Sequence, residues 1–333
     1  MINGLQCCNF LKFRAHAGGR EVGFMFHQFK GGNLSARFPD FIGIGAARSG
    51  TTWVARQLAQ HSDIWLPRIK ELHYFSRSLK YDGPSYLNDS SLVKRVFSSE
   101  EHFQKYRYHL YRAIGSNLMR PSLDKLRWDS LYFFGQPSDD WYASLFATAD
   151  NRIAGEITPQ YSVLQVDDIR AIKKLNPDCK ILFMMRDPVE RAWSLLRYHD
   201  QRFTPGLTKS SINQLIKAAH HPAKLAQSDY RTILNNWFAV YSREEIFIGY
   251  YDQIVESPDK LVRNLFDFLN LDHDTVSEKP NSKVNQSFDK SMPELFRIAM
   301  SDYYYEPIQS LSQQYGGHYT KWLKQYDRVL KRK

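Results

Sequence analysis

A chain of 333 residues, 43% hydrophobic and 24% charged, has the makeup of an ordinary globular protein, which excludes a fibrous or largely disordered one. Its 45 Lys and Arg against 35 Asp and Glu leave a charge of +10, so an anionic partner is expected; yet the basic residues are scattered, apart from Lys331-Arg332-Lys333, and form no nucleic-acid-binding motif. No stretch approaches the roughly 20 apolar residues that cross a bilayer, and Cys7, Cys8 and Cys179 make neither a disulfide framework nor a metal site, so a cytoplasmic, reduced, metal-free protein is expected.

Residues 1–39 show no sustained period and read as a poorly ordered extension ahead of one domain over 40–333. They lack the unbroken apolar run before small residues that marks a secretory signal. The domain opens on Phe41-Ile42-Gly43-Ile44-Gly45, a short apolar run that reads as a buried strand. The turn Ala46-Ala47-Arg48-Ser49-Gly50-Thr51-Thr52 follows, and then a helical pattern of Trp53, Val54, Leu58 and His61. Asp63-Ile64-Trp65-Leu66 is strand-like. From about 77 to 150 the pattern becomes aromatic-rich and helical, an insertion over the sheet. Further strands are predicted over Ile153–Ile157, Lys180–Met185 and Ile246–Tyr250. Helices alternate with them over Asp167–Leu175, Val189–Arg202, Tyr230–Tyr241 and Pro258–Leu269. Asn176-Pro177-Asp178 stops the first of these. Near-continuous apolar strands alternating with helices predict an α/β fold, a central and mainly parallel sheet flanked by helices.

The loop after the first strand carries the most chemistry. A glycine-bearing turn that opens a helix gathers backbone amides and the positive helix end at one spot, a cradle for phosphate. Ser49, Thr51 and Thr52 add hydroxyl donors, and Arg48 adds a charge. Gly45 and Gly50 have the spacing of a Walker A loop, but Thr51 stands where its lysine would be. Three readings are open on this evidence: a group-transfer enzyme on a phosphorylated donor, a P-loop kinase or NTPase, and a non-catalytic nucleotide-binding module.

Arg48-Ser49-Gly50-Thr51-Thr52-Trp53 resembles the first loop of the sulfotransferases that use 3′-phosphoadenosine 5′-phosphosulfate (PAPS), with Ala47 in place of a proline. Arginine at that position is similar to the tyrosylprotein sulfotransferases. Arg186-Asp187-Pro188-Val189-Glu190-Arg191-Ala192-Trp193-Ser194 resembles the same family's second motif, an arginine at a strand end and a serine eight positions on that hold the 3′-phosphate. Ser194 would lie about two helical turns from Arg186, on the inward side. The resemblance further implies donor contacts from Trp53, Tyr251 and Lys283. The family's Arg-Lys-Gly segment is absent near Lys283-Val284-Asn285.

On the acceptor side, Lys70-Glu71-Leu72-His73-Tyr74-Phe75 resembles a segment of heparan sulfate 3-O-sulfotransferases in which the glutamate is the catalytic base, although Ser76 replaces the next acidic residue. Gly155-Glu156-Ile157-Thr158-Pro159-Gln160-Tyr161 and Trp141-Tyr142 are similar to other segments of those enzymes, with Ile157 in place of a lysine; Glu156 itself reads as structural. The resemblance implies a P-loop-containing sulfotransferase-like fold. It also implies metal-free sulfuryl transfer from PAPS to a hydroxyl or amine of a small-molecule or carbohydrate acceptor, giving PAP. Glu71, or His73 in its place, would take the proton, and Arg48 would neutralise the leaving group.

Overall fold

The computed structural model describes residues 10–17, 20–27, 36–81, 85–88, 91–273 and 291–331. Two antiparallel strands, β1 (Phe10–Ala17) and β2 (Arg20–His27), lie in a separate unit, Met1–Ser35. The alternation of Leu11, Phe13 and Ala15 with Lys12, Arg14 and His16, ahead of Gly18-Gly19, is a hairpin signal within the segment read from sequence as a poorly ordered extension.

The second unit, Ala36–Lys333, is built on a five-stranded sheet. Its strands are β3 (Phe41–Gly45), β4 (Ile64–Trp65), β5 (Ile153–Ile157), β6 (Lys180–Met185) and β7 (Ile246–Tyr250). They are ordered β4-β5-β3-β6-β7, and every neighbouring pair is parallel. Successive strand residues point to opposite faces, and here both faces are covered. Ile42, Ile44, Ile181, Phe183 and Met185 pack into one core with Tyr161, Trp193 and Trp237. Phe41, Leu182 and Met184 go the other way, to Trp53, Leu58, Leu261 and Leu265. That double burial is why these strands read as unbroken apolar runs.

The chain leaves β3 towards β4 and β5 on one side and later places β6 and β7 on the other. The order reverses at β3, so a crevice opens at its carboxyl end, where parallel α/β sheets hold ligands. The insertion has a core of its own. Its helices Glu101–Met119, Leu123–Phe134 and Asp139–Ser144 bury Phe103, Tyr106, Trp128, Tyr132 and Trp141. Phe75 touches both this core and the one on the sheet.

Helices Val166–Leu175, Pro188–Arg202 and Pro258–Leu269 lie where the pattern places them. The helix Tyr230–Phe238 stops short of the expected Tyr241, and the first helix ends at Leu58, leaving buried His61 beyond it with Nε2 2.8 Å from the Asp272 carbonyl oxygen. A helical pair, Glu294–Tyr315 and Gly317–Leu330, was not foreseen; Phe296, Met300, Tyr304, Ile308 and Leu311 supply its three- and four-residue period. None of the described helices is long and apolar enough to cross a membrane.

Candidate active site

β3 ends on Gly45, where φ is +130° and a Cβ would lie 2.6 Å from the Pro159 carbonyl oxygen, so only glycine fits. The loop then folds back on the sheet: the Ala46 amide donates to the Met184 carbonyl at 2.6 Å, and the Ser49 amide to the Ala46 carbonyl at 3.2 Å. Gly50, at φ +89°, is the N-cap of the helix Thr51–Leu58 and offers no capping side chain to the amides of its first turn. An uncapped helix start of this kind suits an anion. Buried Arg191 props the loop, donating from Nη1 to the Ala47 carbonyl at 3.4 Å and from Nε to Ser228 Oγ at 2.6 Å.

A cavity of about 530 Å³ opens over this loop. It brings together Arg48, Gly50, Thr51, Thr52, Trp53, Glu71, His73, Arg186, Ser194 and Tyr251, residues drawn from four separate stretches of sequence. Arg48 Nε donates to Ser194 Oγ at 3.3 Å, and its guanidinium lies 4.9 Å from the Tyr198 ring centre. Arg186 Nη1 donates to the Arg48 carbonyl at 3.4 Å, and its guanidinium lies 4.2 Å from the centre of the Tyr251 ring. Glu190 holds Arg186 Nη2 at 3.8 Å and receives Arg297 Nη1 at 2.9 Å. Burial, with the neighbouring Arg186 and Arg197 charges adding to it, lowers the Arg48 pKa from its ordinary value. Such a cluster of like charges is relieved by an anion.

The end of β6 is equally fixed, since the Tyr230 hydroxyl donates to the Arg186 carbonyl at 2.6 Å. Asp187 caps the next helix by accepting from the Glu190 amide at 2.9 Å, and burial pushes its carboxyl up to about 7.

One expected donor residue differs in place, and two others border the cavity. Ser49 is fully buried and does not line the cavity, because the loop doubles back beneath itself. Trp53, only 1% exposed, borders the cavity from the core cluster between sheet and helix. Tyr251 is the first residue of the helix Tyr251–Glu256, just past β7. Lys283, Val284 and Asn285 lie outside the described residues, as do Cys7 and Cys8.

On the acceptor side, Glu71 at φ 67° and His73 at φ 57° turn the backbone sharply beside the loop. Non-glycine residues in that conformation are uncommon and cluster at functional sites. Glu71 Oε1 accepts from Lys70 Nζ at 3.3 Å, while its Oε2 lies 3.5 Å from Lys105 Nζ and 3.6 Å from His73 Nε2. Burial pushes the Glu71 carboxyl up, but the His73 hydrogen bond and the Lys70 and Lys105 charges outweigh it and hold the group well below the usual carboxylate range. Lys70 Nζ is also 3.3 Å from Thr52 Oγ1, so one ammonium spans the phosphate loop and the carboxylate. His73 Nδ1 faces Ser76 Oγ at 3.3 Å.

Glu156 is fully buried, accepting from Thr158 Oγ1 at 2.7 Å and Tyr161 Oη at 3.1 Å as well as from the Tyr142 hydroxyl. Sequence reasoning missed Tyr198, Arg197, Lys70 and Lys105. Tyr198 and Arg197 sit one turn past Ser194 on its helix, a register that gives them away. Nothing local marks Lys105, which arrives from the insertion.

The profile of the sulfotransferase family matches residues 39–275. Carbohydrate sulfotransferase 15 of Rattus norvegicus and its counterpart of Mus musculus are each 24% identical over 273 residues, covering 75% of this chain and 46% of the relative. The chain thus spans about half the length of the curated relatives it matches. Among solved structures, a sulfotransferase from Alicyclobacillus acidocaldarius superposes with a TM-score of 0.57 at 22% identity, over 85% of this chain and 98% of that one, which shows a shared fold. With a matched profile over most of its length and a glycine loop at the switch point of a parallel sheet, the chain belongs to the sulfotransferase family.

Proposed function

We propose that the chain transfers a sulfuryl group from PAPS to a hydroxyl or amine of a small-molecule or carbohydrate acceptor. The observation that carries this reading is the meeting of Arg48 and Ser194, one from each cation-bearing motif, in one cavity. Arg186 and Ser194 would hold the donor's 3′-phosphate, and the amides of the helix Thr51–Leu58 the 5′-phosphosulfate. The acceptor oxygen or nitrogen attacks sulfur, the bond from sulfur to the 5′-phosphate oxygen breaks, and PAP leaves with that electron pair. The acceptor's proton passes to Glu71.

Charge grows on the departing phosphate oxygen in this step. Arg48 is held beside Ser194 before reaction, so it stabilises that charge with little reorganisation. A donor that draws Lys70 to its phosphosulfate also relieves the carboxylate of one cation, which raises Glu71 basicity at the moment a base is needed. The names of the rat and mouse relatives favour a carbohydrate among the acceptors.

Incubation with sulfur-labelled PAPS and a panel of glycans, phenols, alcohols and amines tests the reading. Label should move to one class of acceptor with stoichiometric PAP. Label moving to none, while ATP is turned over instead, would overturn it.

A further inference from the structure

Beyond this reaction, we infer that the tip of the inserted helical hairpin is a docking surface for an anionic lipid bilayer. Most of the exposed large apolar side chains among the described residues lie between Val93 and Phe134. The helix Glu101–Met119 has two apolar faces. Phe103, Tyr106 and Leu110 are buried in the core of the insertion. Tyr108, Tyr111, Ile114 and Leu118, at steps of three and four residues, form a second stripe that stands in solvent. A helix apolar on two faces needs a second partner.

The chemistry of the stripe is graded along the helix, and the grading selects the partner. Tyr108 and Tyr111, each with a polar tip, come first and are 55% and 64% exposed. Leu118, Met119 and Leu123, purely aliphatic, crown the turn and are 79%, 83% and 84% exposed, the most exposed apolar side chains of the region. Aromatic rings at headgroup level with aliphatic groups beyond them is the order a side-chain set takes on entering a bilayer edge. Arg112 beside Tyr108, and Arg120 and Arg127 nearer the turn, are exposed against a single exposed acid, Asp124, so the rim is complementary to anionic headgroups. A protein partner of ordinary interface composition calls for no such depth order. The same helix carries Lys105 to Glu71 at its other end, and its tip stands about 21 Å along the axis from Lys105 at about 1.5 Å per residue.

The test is co-sedimentation of the full chain with vesicles of phosphatidylcholine alone and of phosphatidylcholine with phosphatidylserine, compared with Leu118→Glu/Leu123→Glu and with Arg112→Glu/Arg120→Glu. Wild type should partition onto the phosphatidylserine vesicles, and each double variant should bind at least about tenfold more weakly. Melting temperature and PAP binding should stay unchanged, since these side chains are exposed and remote from the cavity. Wild type that stays in the supernatant overturns the proposal, as does equal partitioning of wild type and variants. So does a wild-type dimer in solution that Leu118→Glu/Leu123→Glu dissociates, because the occupant would then be a second copy of the chain.

Discussion

Arg48 donates to Ser194 at 3.3 Å across 146 residues of sequence, joining the loop after β3 to the helix after β6. One guanidinium is thereby held at the boundary between the two phosphate positions inferred for the donor. Its partner Ser194 comes from a helix whose start is capped by Asp187 and whose Arg191 props the loop. The loop is braced from both motifs, the preorganisation that electrostatic catalysis asks of it.

Arg48→Ala should therefore cost more in turnover than in binding. We expect kcat to fall by on the order of 100-fold or more, as for loss of one preorganised donor, with a smaller loss of PAP affinity. Steady-state kinetics alongside calorimetric titration of PAP separate the two. A variant that turns over normally and only binds the donor poorly would make Arg48 a binding residue.

Glu71→Gln keeps size and hydrogen-bonding reach but accepts no proton, and transfer should fall by about 100- to 10,000-fold with PAP binding nearly intact. His73→Gln should cost less, since His73 acts on the carboxylate from 3.6 Å. Because Glu71 is held well below its ordinary range by His73, Lys70 and Lys105 against its burial, it stays ionised as pH falls, and the kcat/KM profile should show no carboxylate limb above about pH 4. A dead His73→Gln beside an active Glu71→Gln would move the base to the imidazole.

Much of this arrangement is legible in the sequence because its signals are local. β3 and β7 are unbroken apolar runs and β6 is one after Lys180, and the turn through Gly50 announces itself by its glycine and hydroxyl residues. What sequence does not carry is set by tertiary packing. Ser49 reads as a donor until the doubled-back loop encloses it. Lys105 reaches Glu71 only because the insertion folds onto its own aromatic core. The Glu294–Tyr315 helix hides its period behind an internal Pro307 and a run of three tyrosines.

Asp187 gives the fold a dependence on pH. Burial pushes its carboxyl from 3.8 up to about 7, so the folded chain holds the proton more tightly than the unfolded one. Stability from this group is then greatest below about pH 4, falls as pH rises to about 7 and is level above, a change of about 4 kcal/mol. Asp187→Asn keeps the helix cap and should flatten that slope, leaving the variant relatively more stable at alkaline pH. Urea unfolding of both proteins across this range is the check; parallel curves would mean Asp187 ionises normally.

If Arg186 and Ser194 hold the donor's 3′-phosphate, PAP must stabilise the chain against heat more than AMP does at equal concentration, and a thermal melt with each ligand decides it. The two ligands differ only in that phosphate, and at equal concentration the tighter ligand stabilises the folded chain more, with the logarithm of its affinity. PAP should raise the melting temperature well above the AMP value, and Arg186→Ala should bring the two together. Equal shifts from PAP and AMP in the unaltered protein would contradict the claim.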